Sequence, residues 1–159
     1  MPVYVAVCGA GEASGEVAAQ AEEVGRLLAR SGAVVVCGGL GGVMEAAARG
    51  AETEGGTSLG ILPGLRRDDS NRHLTLSIPT GMGEMRNTLI VRAADVLIAV
   101  GGEFGTLSEV AFALKTGVPV VGLGTWELAK AGAAVDPIVR AKTPEDAVRA
   151  ALNSVSPGS

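Results

Sequence analysis

The sequence predicts an α/β fold with a mostly parallel central sheet and helices on both faces. Short apolar, β-branched runs alternate with Ala-rich segments of helical spacing along the chain, and glycines gather where the apolar runs stop. Runs that are continuously apolar, such as Val96 to Val100, suit strands buried on both faces.

In order, Val3 to Cys8 reads as a first strand. Gly15 to Ser31 reads as a helix carrying Val17, Ala21, Val24 and Leu28 on one face. Ala33 to Cys37 is a second strand, followed by GGLGG and a helix over Val43 to Glu54. Thr57 to Leu62 is a third strand, ended by Pro63-Gly64. Arg66 to Arg72 is a polar loop, and Leu74 to Ile78 a short strand. Glu84 to Ala94 is a helix, Asp95 to Val100 a strand, Gly105 to Thr116 a helix and Val118 to Leu123 a strand. Thr143-Pro144-Glu145, a cap followed by proline at the first helical position, opens a last helix to Asn153.

The 159 residues suit one domain, taken as 1–153, with a flexible tail over 154–159. Hydrophobic residues make up 47% and aromatics 3%, so the core is aliphatic. A net charge of −4 without a basic block or aromatic-basic stripe argues against nucleic acid as a partner. No run is long and apolar enough to span a bilayer, and the N-terminus carries no signal-peptide pattern, so a cytoplasmic protein without membrane association is expected. Cys8 and Cys37 have no metal-ligand spacing and are expected as reduced, buried thiols; no metal site is expected.

In open parallel sheets, ligands bind beyond the carboxyl ends of the strands. Glycines sit at such ends after the first strand (Gly9, Gly11), after the second (Gly38, Gly39, Gly42) and after Val100 (Gly101, Gly102, Gly105). Turns in α/β proteins favour glycine in any case, but clusters converging on one edge point to a site. The segment VLIAVGGEFGTLSEVAFAL is the most informative: a buried strand ends in Gly101-Gly102, and a helix opens near Gly105-Thr106. Unsatisfied amides at a helix start attract anions, and the Thr106 hydroxyl can add a hydrogen bond. Leu107, Val110, Ala111 and Leu114 are placed facing the sheet. Thr106-Leu107-Ser108-Glu109 is also a capping-box pattern, in which Glu109 would only reach back to the cap. Spacing alone leaves capping and chemistry open.

The sequence resembles the Lonely Guy family, long labelled lysine decarboxylases, and within it the subgroup that includes molybdenum-cofactor carrier proteins. Its P-G-G-x-G-T-x-x-E motif is matched by GGEFGTLSE, Gly101 to Glu109; its G-G-x-x-G-x-M motif is matched by GGLGGVM, Gly38 to Met44. GMGEMRN places the family's functional arginine on Arg86. The resemblance implies a modified Rossmann fold, a homodimer or homotetramer, and a small-molecule partner: a nucleotide or a phosphorylated cofactor. It implies phosphate binding by Gly102, Gly105 and Thr106, with Gly9, Gly38, Gly39, Gly42, Met44 and Gly101 completing the nucleotide site, and catalysis by Arg86 and Glu109.

Active members cut the N-glycosidic bond of a nucleoside 5′-monophosphate such as AMP or N6-substituted AMP; no cofactor is required beyond the bound nucleotide or phosphate. The alternative is a non-catalytic carrier of a phosphate-bearing cofactor such as molybdenum cofactor. Bond cleavage develops positive charge on the ribose, which a carboxylate can stabilise while an arginine clamps phosphate. A surface or interface salt bridge is the plain structural alternative for Arg86. The motif departs at Gly101, where the family has proline, and at Glu103, where it has glycine; Asn87 replaces the basic residue of active enzymes. Lys115, Lys130 and Lys142 lie in ordinary surroundings, so pyridoxal chemistry is set aside.

His73 reads as a solvated loop histidine, and its loop as a hinge or a phosphate cover. Ser14 reads as a helix cap or ligand contact, Met82 and Met85 as base-pocket or subunit-contact residues, and Trp126 as pocket shield or gap filler. The Ala-rich, Met-bearing helix around Arg86 suits close contact with a second subunit.

Overall fold

In the computed structural model, which describes residues 1–155, the apolar runs form strands and the Ala-rich segments pack over them as helices. The order is β1 (Tyr4–Gly9), α1 (Gly15–Arg30), β2 (Val34–Cys37), α2 (Val43–Thr53), β3 (Ser58–Leu62), β4 (Leu76–Pro79), α3 (Asn87–Ala93), β5 (Val96–Val100), α4 (Phe104–Thr116), β6 (Val120–Leu123), β7 (Ala129–Lys130), β8 (Ala133–Ala134), β9 (Val139–Ala141) and α5 (Pro144–Ser154). Seven strands make one sheet in the order β4-β3-β2-β1-β5-β6-β9, and every pairing in it is parallel. This is the expected Rossmann-like architecture.

Alternation along each strand divides the core into two layers. Val5, Val7, Val35, Ile98 and Val100 face α1, α2 and α5; Ala6, Cys8, Val36, Leu97 and Ala99 face α3 and α4. Every residue of β5 is buried, as a central parallel strand requires. No helix among the described residues is long and apolar enough to cross a membrane.

Several boundaries differ from expectation. The helix expected over Glu84 to Ala94 divides into a 3₁₀ turn, Gly83–Arg86, and α3. Gly81 and Gly83, both at positive φ, bring the chain into that turn tightly. The expected strand at Leu74 starts later, because Thr75 first exchanges hydrogen bonds with Ser58. The hairpin β7–β8 and the edge strand β9 were not anticipated; β9 has only three residues and exposes Val139 and Arg140, too short a pattern to recognise. Of the expected tail, Ser154 closes α5 and Val155 packs against the core, while 156–159 lie outside the described residues.

The closest helix packing on the first layer is α1 against α2, and glycines permit it. A Cβ on Gly25 would lie 2.0 Å from the Ala47 carbonyl oxygen, and one on Gly50 2.0 Å from that of Glu22. Alanine would add about 1 kcal/mol of helix propensity. Forcing the two backbones apart opposes that by roughly 1–3 kcal/mol or more, and the clash dominates. Gly25→Ala is therefore expected to lower the unfolding free energy in urea; a more stable variant would show that the helices can separate without cost.

Candidate functional site

From β1 the chain builds outward through β2, β3 and β4, then returns to place β5 on the other side of β1. The carboxyl ends of β1 and β5 therefore flank the topological switch point, where open α/β sheets bind ligands. A cavity of about 730 Å³ lies there. That volume suits a nucleotide-sized molecule.

One wall is the start of α4. Its first intrahelical bond is donated by Leu107 to the Glu103 carbonyl, and no side chain caps the helix. The amides of residues 103–106 thus remain unclaimed by the helix and carry the positive end of its dipole. Gly105 and Thr106 line the cavity. Gly102, at φ +107°, lets the chain turn against the Thr106 side chain, which a Cβ would meet at 2.5 Å. Trp126 donates its ring N–H to the Glu103 carbonyl and stacks at a tilt on Phe104, fixing this turn from outside.

The helix start also decides between capping and chemistry. With Glu103 in the N-cap position, Thr106 is the third helical residue and Glu109 lies a turn deeper. The capping box is therefore absent. Thr106, Glu109, Val110 and Ala113 form the buried stripe of α4; of the expected Leu107, Val110, Ala111 and Leu114, Val110 is buried and Leu114 packs against the core, while Leu107 is half-buried and Ala111 exposed. This stripe directs a hydroxyl and a carboxyl inward at the cavity.

Glu109 is 7% exposed and Arg86 8%. Burial pushes the Glu109 carboxyl up from 4.5 to about 7, partly offset by a Cys8 hydrogen bond and the Arg86 charge. Burial likewise draws the Arg86 guanidinium down, with Glu109 as the chief opposing charge. Arg86 Nη2 donates to the Gly38 carbonyl at 3.2 Å and Nη1 to the Asn87 side-chain oxygen, while Nε is buried without a partner. Cys8, also at the cavity, has its thiol pushed well up by burial and by Glu109; Cys37 is pushed up to about 11, chiefly by burial. Both are free, buried and protonated in the neutral range. No group of three or more His, Cys, Asp or Glu among the described residues is placed to hold a metal.

Of the residues singled out from sequence, Gly9, Gly38, Met44, Arg86, Gly105, Thr106 and Glu109 line the cavity together. Gly39, Gly42, Gly101 and Gly102 do not; all four have positive φ and shape the loops behind the lining. Gly42 shows why: a Cβ there would lie 2.2 Å from the Ala10 carbonyl oxygen. Cys8, Leu40, Pro63 and Glu84 line the cavity although sequence patterns did not select them. Each comes from a strand end or turn whose neighbours were already marked by glycine, the one signal that could have found them. His73 is not solvated as expected: its ring is largely buried and Nδ1 lies 2.6 Å from Glu52. Ser14 stands at the N-cap of α1 without a side-chain cap bond, and Met82 and Met85 are outside the cavity.

Residues 2–148 match the model of the SLOG cluster4 family. The chain belongs to the SLOG cluster4 family. An uncharacterised protein of Archaeoglobus fulgidus is 43% identical over 152 residues, covering 96% of each chain. A molybdenum cofactor binding protein from Rippkaea orientalis has a similar structure (TM-score 0.90, 34% identity, 98% of this chain and 99% of that one). A Moco carrier protein from Chlamydomonas reinhardtii is similar as well (TM-score 0.84, 34% identity, 96% and 97%).

In this SLOG cluster4 chain the buried carboxyl has a thermodynamic signature. Glu109 ionises above 4.5 in the unfolded chain but only above about 7 when folded. Between those values the folded state holds the extra proton, so the group's contribution to stability falls as pH rises and levels off above about 7. Glu109→Gln is expected to be about 3 kcal/mol more stable than wild type at pH 8 and to match it near pH 4. Denaturant titrations at the two pH values measure this; equal differences at both would show that the carboxyl does not titrate in the folded site.

Proposed function

We propose that this protein binds and carries a phosphate-bearing heterocyclic cofactor of the molybdenum-cofactor kind, without cleaving it. The observation that carries the reading is that the α4 start, with amides unclaimed by the helix, and the Arg86 side chain line one cavity, which supports an anion seat there. The molybdenum-cofactor proteins of R. orientalis and C. reinhardtii, similar over nearly their whole lengths, support it.

Hydrolysis of a nucleoside 5′-monophosphate by Arg86 and Glu109 is the rival. Two nitrogens of Arg86 are already held by Gly38 and Asn87, which favours holding a ligand over bidentate clamping of a reacting group. A carboxyl pushed up to about 7 by burial is also less readily ionised at neutral pH than a free one, where stabilising a ribosyl cation needs the ion. Asn87 in place of a basic residue points the same way. The buried, protonated thiols suit a reducing compartment such as the cytoplasm.

Native mass spectrometry of freshly purified protein is expected to show an intact phosphorylated pterin or nucleotide. Incubation with AMP or N6-substituted AMP is expected to release no free base; release would overturn the carrier reading in favour of the hydrolase. Arg86→Gln is expected to weaken phosphate binding about tenfold or more, the equivalent of one charge-assisted hydrogen bond. Affinity unchanged in calorimetric titration would remove Arg86 from the anion seat.

We propose further that two or more copies associate through the α3–α4 face, where Met85 (67%) and Phe104 (75%) stand exposed beside Leu89. Light scattering is expected to give at least a dimer; a monomer would refute it.

A further inference from the structure

The turn that starts α4 is built on two successive glycines. Gly101 and Gly102 lie at φ +56° and +107°, in the region that side chains avoid, and two glycines in a row leave a turn loose unless something outside it takes up the freedom. The end of β6 does so. Gly101 donates its N–H to the Leu123 carbonyl at 3.0 Å, and its own carbonyl accepts from the Thr125 hydroxyl. Trp126 donates its ring N–H to the Glu103 carbonyl at 3.1 Å, and its ring centre lies 5.3 Å from that of Phe104. Thr125 is itself seated on β6: its methyl lies over Gly122, where a Cβ would come within 2.8 Å of it.

We infer that Thr125, together with Trp126, is a positioning residue for anion binding: it holds the backbone of residues 101–104 so that the start of α4 keeps its place in the cavity wall. The inference rests on the anion-seat reading above. Arg86 supports that reading independently of the helix start, because it lines the same cavity, is 8% exposed and keeps Nε without a partner. A trans peptide is planar, so fixing a carbonyl also fixes the N–H across the same bond. Thr125 thereby sets the peptide between Gly101 and Gly102, and Trp126 the peptide between Glu103 and Phe104. The peptide that carries the Glu103 amide is held between these two planes. Glu103, Gly105 and Thr106, which line the cavity, follow from them along the chain. Neither Thr125 nor Trp126 is among the lining residues, so each acts through the turn and not by touching a ligand. Donors already held in place bind more tightly than donors that lose conformational freedom on binding.

Calorimetric titration of the full chain with inorganic phosphate, followed in parallel by amide NMR spectra, tests the inference. In wild type, phosphate is expected to shift the amide resonances of Glu103, Gly105 and Thr106. Thr125→Val keeps the shape of the side chain and removes only the hydroxyl; it is expected to weaken phosphate binding about five- to tenfold, the effect of one hydrogen bond, and to diminish those shifts. Thr125→Ser, which keeps the hydroxyl and lacks the methyl, is expected to bind close to the wild-type value, a rescue that a loss of packing would not give. Trp126→Phe, which keeps a ring against Phe104 without its donor, is expected to weaken binding in the same direction and carries the test if Thr125→Val does not fold. Wild-type affinity in Thr125→Val, or Thr125→Ser as weak as Thr125→Val, would overturn the positioning role and leave the anion seat standing. Phosphate bound by wild type without moving those three amides would overturn it without any variant. No phosphate binding by wild type would remove the anion seat and the inference with it.

Discussion

A carboxyl and a guanidinium buried at the edge of an aliphatic core constrain everything around them. Glu109 and Arg86 are removed from water on the α3–α4 side of the sheet, where their neighbours are Cys8 and the strand ends. Transfer of an ion into such surroundings costs several kcal/mol unless partners replace the solvent. The protein replaces it incompletely: Glu109 retains its proton up to about 7, and Arg86 keeps one N–H without a partner.

The parallel sheet makes that arrangement possible. Strands buried on both faces require layers of helices, and helix-bearing crossovers bring the strand ends to one edge. At that edge the return of the chain to β5 opens the switch point beside β1. Glycines then set how near the loops approach. Gly38 illustrates it, since a Cβ there would press on the Arg86 guanidinium and the Met44 sulfur, both at 2.7 Å. The absence of a side chain at Gly38 thus leaves room for the arginine, which donates to the Gly38 carbonyl.

The fold was legible because its signals are repeated: each buried strand is a short aliphatic run, and each helix shows an apolar face. Departures occur where the signal is short, as in the three-residue β9, or where hydrogen bonds shift a boundary, as at Thr75. The site was legible in its residues but not in its geometry. Glu109 was recognisable from its motif, yet the apolar pattern Leu107, Val110, Ala111, Leu114 found the buried face only at Val110 and Leu114 and missed Thr106, Glu109 and Ala113. Packing of hydrophobic side chains alone would choose that face; the turn anchored by Trp126 and Thr125 instead starts α4 at Phe104 and points Thr106 and Glu109 inward. His73 escaped for a different reason: its partner Glu52 is distant in sequence and lies on another element.

The distance between a carrier and a hydrolase on this framework is small in residues and large in chemistry. Both need an anion seat, for which the α4 start with its unclaimed amides is the candidate in either case. Cleavage also requires a carboxylate that stays ionised as ribosyl charge develops, and cations enough to hold phosphate and carboxylate together. Here one arginine serves the cavity, and two of its nitrogens are committed to Gly38 and Asn87. Asn87 contributes an acceptor to Arg86 in place of a second cation. An uncharged side chain at that position adds no positive charge to the cavity.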